Sequence, residues 1–188
     1  MKKLSCLSLA FVFLFLLCAC GENEKADGVY AFVNSEPLST QEIDFYTSRL
    51  RTKVITEFSE KYGISDFSDF WDNEYDGVTP KSVLEERAVQ SAVEAKLKLI
   101  EMKKYGIYAD ISWDGLKKQA EQYNKSHAGK NAVGLKSIDM SGFYIYYLST
   151  GEIELKKKLL SDGIGDYDKY IENLVKNAQV VINRSNDG

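Results

Sequence analysis

The chain has little of the residue types from which most catalytic centres are built. It contains one histidine, two prolines and three cysteines among 188 residues. The cysteines, Cys6, Cys18 and Cys20, all lie in the first twenty residues, so the remainder offers no thiol nucleophile, disulfide or cysteine metal ligand. His127 has no second histidine to complete a transition-metal site. We therefore expect no catalytic residue, no metal and no cofactor.

Motifs for other common chemistries are also missing. The sequence has no glycine-rich phosphate loop and no Gly-x-Ser-x-Gly elbow. Acidic residues cluster at Glu85-Glu86 and over residues 66–76, but adjacency does not place two carboxylates across one cleft, so solvated surface is the favoured interpretation. Residues 72–77 lack EF-hand spacing. His127 stands near the end of a predicted helix, where we expect it to interact with the helix terminus.

The first twenty residues have the features of an export signal. Two lysines precede a mainly apolar run of 14 residues, from Leu4 to Leu17, whereas a membrane-spanning helix needs roughly 20. The run ends in Leu17-Cys18-Ala19-Cys20, which resembles a lipobox because an aliphatic residue stands three positions before a cysteine and a small residue directly before it. The alternatives are an ordinary signal cleaved nearby and an uncleaved anchor.

A lipobox implies attachment to a cell membrane through lipid. We predict a signal peptide over residues 1–19, lipidation of Cys20 and a polar tether over residues 20–28, with the domain on the extracytoplasmic side. Acyl chains contribute about 0.8 kcal/mol per buried CH₂, and several chains anchor durably. The charge of the whole chain is −4, and loss of the two signal lysines lowers it to −6. This charge disfavours nucleic acid as a partner and electrostatic binding to anionic lipid.

The rest of the chain predicts one mostly helical domain over residues 29–184. Ser39 and Glu42 fit a capping box, and Thr79 precedes Pro80 at a first helical position. The predicted elements are a strand over 29–33, a turn over 34–37, helices over 40–62, 80–105, 112–128, 141–160 and 166–177, and a strand over 178–183. We expect the two strands to pair, which gives a small two-stranded sheet that joins the N- and C-terminal segments.

Two long helices carry small residues in informative places. Ala88, Ala92 and Ala95 lie on the apolar face of the helix predicted over 80–105, so a neighbour can approach closely and this helix is expected to be central. Gly151, inside the helix predicted over 141–160, costs roughly 1 kcal/mol relative to alanine and suggests a bend.

Aromatic residues are frequent, with 12 Tyr, 9 Phe and 2 Trp. One group lies in the non-helical stretch 64–78. Another lies over residues 143–147, where adjacent helix positions point about 100° apart and cannot all face one core. Aromatic side chains offer large contact area at low entropic cost. The candidate residues for binding apolar segments are Phe70, Trp71, Tyr75, Tyr144, Tyr146 and Tyr147. The alternative for each is ordinary core packing.

The order of these segments is similar to that of extracytoplasmic foldases of the SurA/PrsA type, whose chaperone module is distantly similar to that of trigger factor. Phe32-Val33-Asn34-Ser35-Glu36-Pro37-Leu38 resembles the family's opening strand and turn. Residues 79–106 resemble its second long helix, and residues 170–183 its closing helix and strand. The likeness covers nearly all of residues 29–184. It implies a SurA N-terminal-like helical chaperone module that holds unfolded secreted polypeptides.

One feature of that family is missing. Its members commonly carry a parvulin-type prolyl isomerase domain before the closing helix, where this chain has only residues 161–165. Parvulin sites also use paired histidines, and His127 is alone. The resemblance therefore implies the chaperone function without enzymatic activity. Two rivals stay open: a lipoprotein that binds one dedicated partner in a cell-surface complex, and a degenerate isomerase with residual activity. The oligomeric state is left open by the sequence.

Overall fold

The computed structural model describes residues 28–127 and 137–183. The predicted signal peptide, Cys20 and the tether up to residue 27 lie outside the described residues. The elements are β1 (Val29–Val33), β2 (Glu36–Ser39), α1 (Thr40–Tyr62), α2 (Pro80–Lys104), α3 (Trp113–His127), α4 (Met140–Ser161), α5 (Tyr167–Lys176) and β3 (Val180–Ile182). The prediction of a mostly helical fold is confirmed, and each predicted helix and strand begins and ends within two residues of these bounds.

The sheet has one strand more than the two predicted. β1 lies in the middle and pairs antiparallel with β2 on one side and β3 on the other, so it joins the N- and C-terminal segments as expected. Only Asn34 and Ser35 form the turn after β1, with φ of 47° and 70°, as in a two-residue hairpin. Pro37 then lies on an edge strand, where a missing N–H is tolerated.

α2 is the central helix of the fold, as predicted. It packs against α1, α4 and α5 and also contacts β1 and β2. Beneath the sheet, Ala92, Val93 and Leu97 pack against β1 and β2. Farther along, Leu99 and Met102 join the largest core cluster together with buried residues of α4. The position of α2 therefore decides which surfaces of α1, α4 and α5 face one another.

Gly151 lies where α4 crosses close to α2. The helix is continuous through this residue. A Cβ atom added to Gly151 would stand 2.5 Å from Sδ of Met102 and 2.6 Å from Cε2 of Tyr108. Glycine at this position therefore allows α4 to pack closely against Met102 and Tyr108. Close packing explains the presence of the glycine from which the sequence suggested a bend.

The far end of the α1–α2 pair forms a separate small core. We call it the hairpin end: the C-terminal half of α1, residues 63–79 and the first turns of α2. Its buried residues are Val54, Phe58, Phe70 and Leu84. Within it, Tyr75 and Val78 form an isolated β-bridge. The loop that connects the helices thus supplies part of the core on which they pack.

Candidate binding groove

The six aromatic residues singled out from the sequence do not form one surface. Phe70, Trp71 and Tyr75 lie at the hairpin end, whereas the other three lie on α4. Phe70, Tyr144 and Tyr147 are 1%, 0% and 4% exposed. These three side chains lie in the core, which is the alternative that the sequence left open for each of them.

The ring of each of these three residues packs against a neighbouring segment of the chain. Phe70 packs into the small core of the hairpin end together with Val54, Phe58 and Leu84, and the ring centroids of Phe70 and Trp71 are 5.0 Å apart. Tyr144 packs edge-on against Phe45 of α1, with ring centroids 4.8 Å apart. Tyr147 stacks on Tyr108 at 3.7 Å. These contacts leave no room for a ligand.

The remaining three aromatics differ in their surroundings. Trp71 is half-buried, and the guanidinium of Arg51 lies 4.3 Å from its ring centroid. Tyr75 is half-buried against Tyr62, with ring centroids 5.1 Å apart. Tyr146 is 48% exposed, which confirms that at least one aromatic residue of this part of α4 reaches solvent. Trp71 and Tyr75 belong to the packing of the hairpin end, and Tyr146 alone is open.

The structure instead offers an open groove between α1, α2 and α4. Its volume is about 340 Å³, within the size range of ligand sites. Its apolar lining consists of Phe45, Tyr46, Ala95, Ile145 and Leu148. Phe45 and Ala95 are buried and form the floor, whereas Ile145 is 41% exposed on the α4 wall. An apolar side chain placed here would lose contact with water on several sides.

The groove continues toward α5. This second part has a volume of about 330 Å³ and shares Glu94, Lys98 and Glu152 with the first. Its apolar lining comes from α5, mainly from Ile171 and Val175. The two parts adjoin at these three side chains, and residues of α1, α2, α4 and α5 supply their lining.

Charged residues line the rim. Nζ of Lys98 lies 2.8 Å from Oε1 of Glu94, and Nζ of Lys156 lies 3.0 Å from Oε1 of Glu152. The Lys156 ammonium also lies 4.5 Å from the ring centroid of Tyr167. Burial, reinforced by the Glu152 carboxylate, raises the pKa of Tyr167. The Tyr167 hydroxyl oxygen is buried and has no hydrogen-bond partner within residues 28–127 and 137–183.

A buried ion pair supports the floor from below. Nζ of Lys96 lies 2.9 Å from Oε1 of Glu42, and both side chains are at most 1% exposed. The other carboxylate oxygen of Glu42 accepts a hydrogen bond from the Ser39 backbone N–H at 2.9 Å. Burial, with the Glu42 charge second, raises the pKa of Tyr144 well above its usual value, and burial raises that of Tyr46 to about 12. The pair fixes α1 against α2 beneath the groove.

Sequence reasoning missed this ion pair, although it left a signal. Lys96 stands four residues after Ala92 and three before Leu99, so it falls on the apolar face of α2. A lysine in such a position more often extends its charged end to the surface. Glu42 was explained by its capping box, which the structure confirms. Its second role requires α2, which is distant in sequence.

The structure also shows the surroundings of His127 and of the acidic side chains. Nδ1 of His127 lies 2.8 Å from the Tyr123 carbonyl oxygen, and its ring stacks on that of Tyr123 at 4.0 Å, which confirms an interaction with the end of α3. Among residues 28–127 and 137–183, no group of three or more His, Cys, Asp or Glu side chains could hold a metal ion.

Comparisons with known proteins identify no relative. No protein-family model matches the chain, and neither a curated protein nor a solved structure matches it. The resemblance to SurA/PrsA foldases therefore stays a prediction. Within the two described ranges, no helix has the length and apolar character needed to cross a bilayer.

Proposed function

We propose that this chain is a membrane-anchored, non-enzymatic chaperone-like protein that binds unfolded exported polypeptides in the groove. The observation that carries the proposal is the open groove between α1, α2 and α4, whose mixed lining includes the apolar side chains of Phe45, Tyr46, Ile145 and Leu148. Burial of apolar area contributes about 25 cal/mol per Å². Side chains of many sequences can use such a surface because burial is not directional.

Binding in this groove would be weak and reversible. An unfolded client loses conformational freedom when it is held, which offsets much of the gain from burial. No nucleotide is needed for such a cycle, since release follows from the low affinity. The Glu42–Lys96 pair keeps the floor in one arrangement, so the protein itself loses little entropy on binding. Lipid on Cys20 would place the groove beside the membrane from which exported chains emerge.

The first test is aggregation of several unrelated unfolded proteins with and without residues 21–188, which include the whole described part of the chain. Broad suppression is expected. Ile145→Asp places a charge in the groove and should weaken suppression for every client. Ile153→Asp is the matched control, because Ile153 is 57% exposed on the same helix and does not line the groove. Equal loss in both variants, or no suppression by the unaltered chain, would contradict the proposal.

One observation favours the second candidate function, a lipoprotein with one dedicated partner. Tyr146, Ile153 and Leu160 are spaced seven residues apart on α4 and are 48%, 57% and 67% exposed. Seven residues are close to two helical turns, so the three side chains form one stripe, which suits a single complementary helix. Crosslinking from Leu160 on native membranes distinguishes the two functions: one repeated product supports the dedicated partner, and many products support the chaperone.

The anchor is tested separately. Cys20→Ala removes the predicted lipidation site, so the protein should move from the membrane fraction to the soluble exported fraction. Mass spectrometry of the unaltered protein should show a processed N-terminus that begins with acylated Cys20. An intact N-terminus in the membrane-bound protein would support an uncleaved anchor instead.

A further inference from the structure

We infer that the groove prefers apolar segments that carry lysine or arginine and places these cations at its α5 end. The inference rests on the proposed binding function and specifies the class of segment that it accepts. It follows from the unequal distribution of charge along the groove. Both parts share Glu94, Glu152 and Lys98; the part between α1 and α4 adds Arg49, whereas the part beside α5 adds Asp168 and Glu172.

Two of the four carboxylates are already compensated. Glu94 pairs with Lys98, and Glu152 pairs with Lys156, at 2.8 and 3.0 Å. Asp168 and Glu172 are exposed and stand one helical turn apart on α5. Within the part of the chain that the structure describes, neither has a cation within 4.0 Å. The α5 rim thus carries two carboxylates without an ion pair among the described residues, although Asp168 lies in the first turn of α5, where the helix N-terminus favours a negative charge.

These charges border an apolar surface. Ile171 lies between them in sequence, is buried, and lines the same part of the groove together with Val175. Lysine and arginine have long apolar stems that lie along such a surface while the charged end reaches a carboxylate. Tyr167 lines this part too, and its half-buried ring adds to the apolar area beside these carboxylates.

Charge also argues against the other occupants of this surface. Anionic lipid headgroups would meet the Asp168 and Glu172 carboxylates, and like charges repel. A second copy of the chain would bring a net charge of −6 after loss of the signal, from −4 for the whole sequence. A polypeptide segment with apolar residues next to cations matches both the floor and the rim. Acidic apolar segments should be rejected although their apolar content is the same.

The test uses three labelled peptides with the same apolar residues and with lysine, glutamine or glutamate at the flanking positions. Binding to residues 21–188 is followed by fluorescence anisotropy at low salt and at about 0.3 M salt, where the Debye length is well below 10 Å. The lysine peptide should bind about threefold to tenfold more tightly than the glutamate peptide at low salt, the range expected for one or two exposed charge pairs. High salt should reduce this ratio.

A pair of double variants locates the effect. Asp168→Asn with Glu172→Gln should abolish the preference for lysine and leave the glutamine peptide bound as before. Glu85→Gln with Glu86→Gln changes the net charge equally at exposed positions outside the groove and should keep the preference. The same loss in both double variants would attribute the preference to net charge and overturn the inference.

The remaining outcomes separate the inference from the function on which it rests. Equal binding of all three peptides would overturn the charge preference and leave the proposed apolar binding intact. Binding of none of them at any salt concentration would contradict the proposed function together with the inference.

Discussion

The two ends of the α1–α2 pair are held together by different chemistry. At the end near the sheet, which we call the central end, the charged side chains of Glu42 and Lys96 lie buried in contact with each other. The Tyr144 hydroxyl lies 3.5 Å from the Glu42 carboxylate. At the hairpin end, the buried residues are apolar and aromatic, among them Phe58 and Phe70. The first end depends on directional polar contacts, and the second depends on the packing of rings.

The two ends also differ in the sequence separation between the residues that contact each other. Tyr144 and Glu42 are 102 residues apart, whereas Phe70 comes from the loop that directly connects the two helices. The central end therefore forms only when the whole domain assembles. The hairpin end has short-range contacts and is expected to open locally at a lower free energy than the rest. The groove lies beside the central end, where a fixed arrangement serves binding best.

The largest expected effect comes from breaking the central ion pair. Lys96→Met leaves the Glu42 carboxylate buried without its cation, which should lower the free energy of unfolding by about 3–5 kcal/mol. Urea unfolding followed by circular dichroism measures the loss. Lys53→Met is the matched control, because the Lys53 side chain is 66% exposed and should change stability by less than about 0.5 kcal/mol.

The double variant sharpens this result. Glu42→Gln combined with Lys96→Met removes both buried charges and should recover part of the stability, because no unpaired ion remains. If Lys96→Met alone stayed within about 1 kcal/mol of the unaltered protein, the ion pair would not distinguish the two ends.

The next effect should be confined to the hairpin end. Phe70→Ala removes the most deeply buried ring there and should cost about 3 kcal/mol, the lower end of the range for such truncations. Amide hydrogen exchange should become faster in the second half of α1 and the first turns of α2, with protection of β1 and α4 unchanged. Faster exchange throughout the domain would show that the two ends unfold as one unit.

A smaller effect is expected where α4 crosses α2. Gly151→Ala adds a Cβ atom 2.5 Å from Met102 Sδ, so the surrounding side chains or the helices must shift, at about 2 kcal/mol by analogy with overpacked cores. The thermal midpoint should fall, while exchange at the hairpin end stays as it was. Gly165→Ala provides a control, because nothing lies within 4 Å of the corresponding Cβ position.

The smallest effect concerns the loop of the hairpin end. The Tyr62 hydroxyl donates to Asp76 at 2.8 Å, and this bond, followed by the Lys61 ammonium, lowers the pKa of the Asp76 carboxyl. Its contribution to stability is therefore present above the pKa of the unfolded chain and is lost as the pH falls through the folded pKa. Tyr62→Phe should raise the pKa of Asp76, which NMR titration detects. An unchanged pKa would assign the effect to Lys61 alone.

The contrast between local and distant contacts also explains what could be predicted from the sequence. The helices and their caps were predictable because signals such as Ser39 with Glu42 and Thr79 with Pro80 lie within a few residues. β2 was not predicted because proline commonly forms turns. A strand tolerates Pro37 only at the edge of a sheet, and the β1–β2 hairpin places Pro37 at such an edge.

The candidate site was much less predictable. The aromatic residues of the loop were predicted to be available for binding, but Phe70 packs inside the hairpin end against Phe58 and Leu84. The groove forms where α1, α2, α4 and α5 pack together. The sequence contains no local signal that predicts which of these helices contact one another. Lys96 was the one local signal, since a charged residue on an apolar face requires a buried partner or a path to solvent.

The most direct test of the account is an NMR titration of residues 21–188 with an unfolded client segment, followed through backbone amide shifts. The account predicts shifts that concentrate at Ile145, Leu148, Lys98 and Ile171, around the groove, while Trp71 and Tyr75 at the hairpin end stay unchanged. Shifts confined to the hairpin end, with none around the groove, would contradict it.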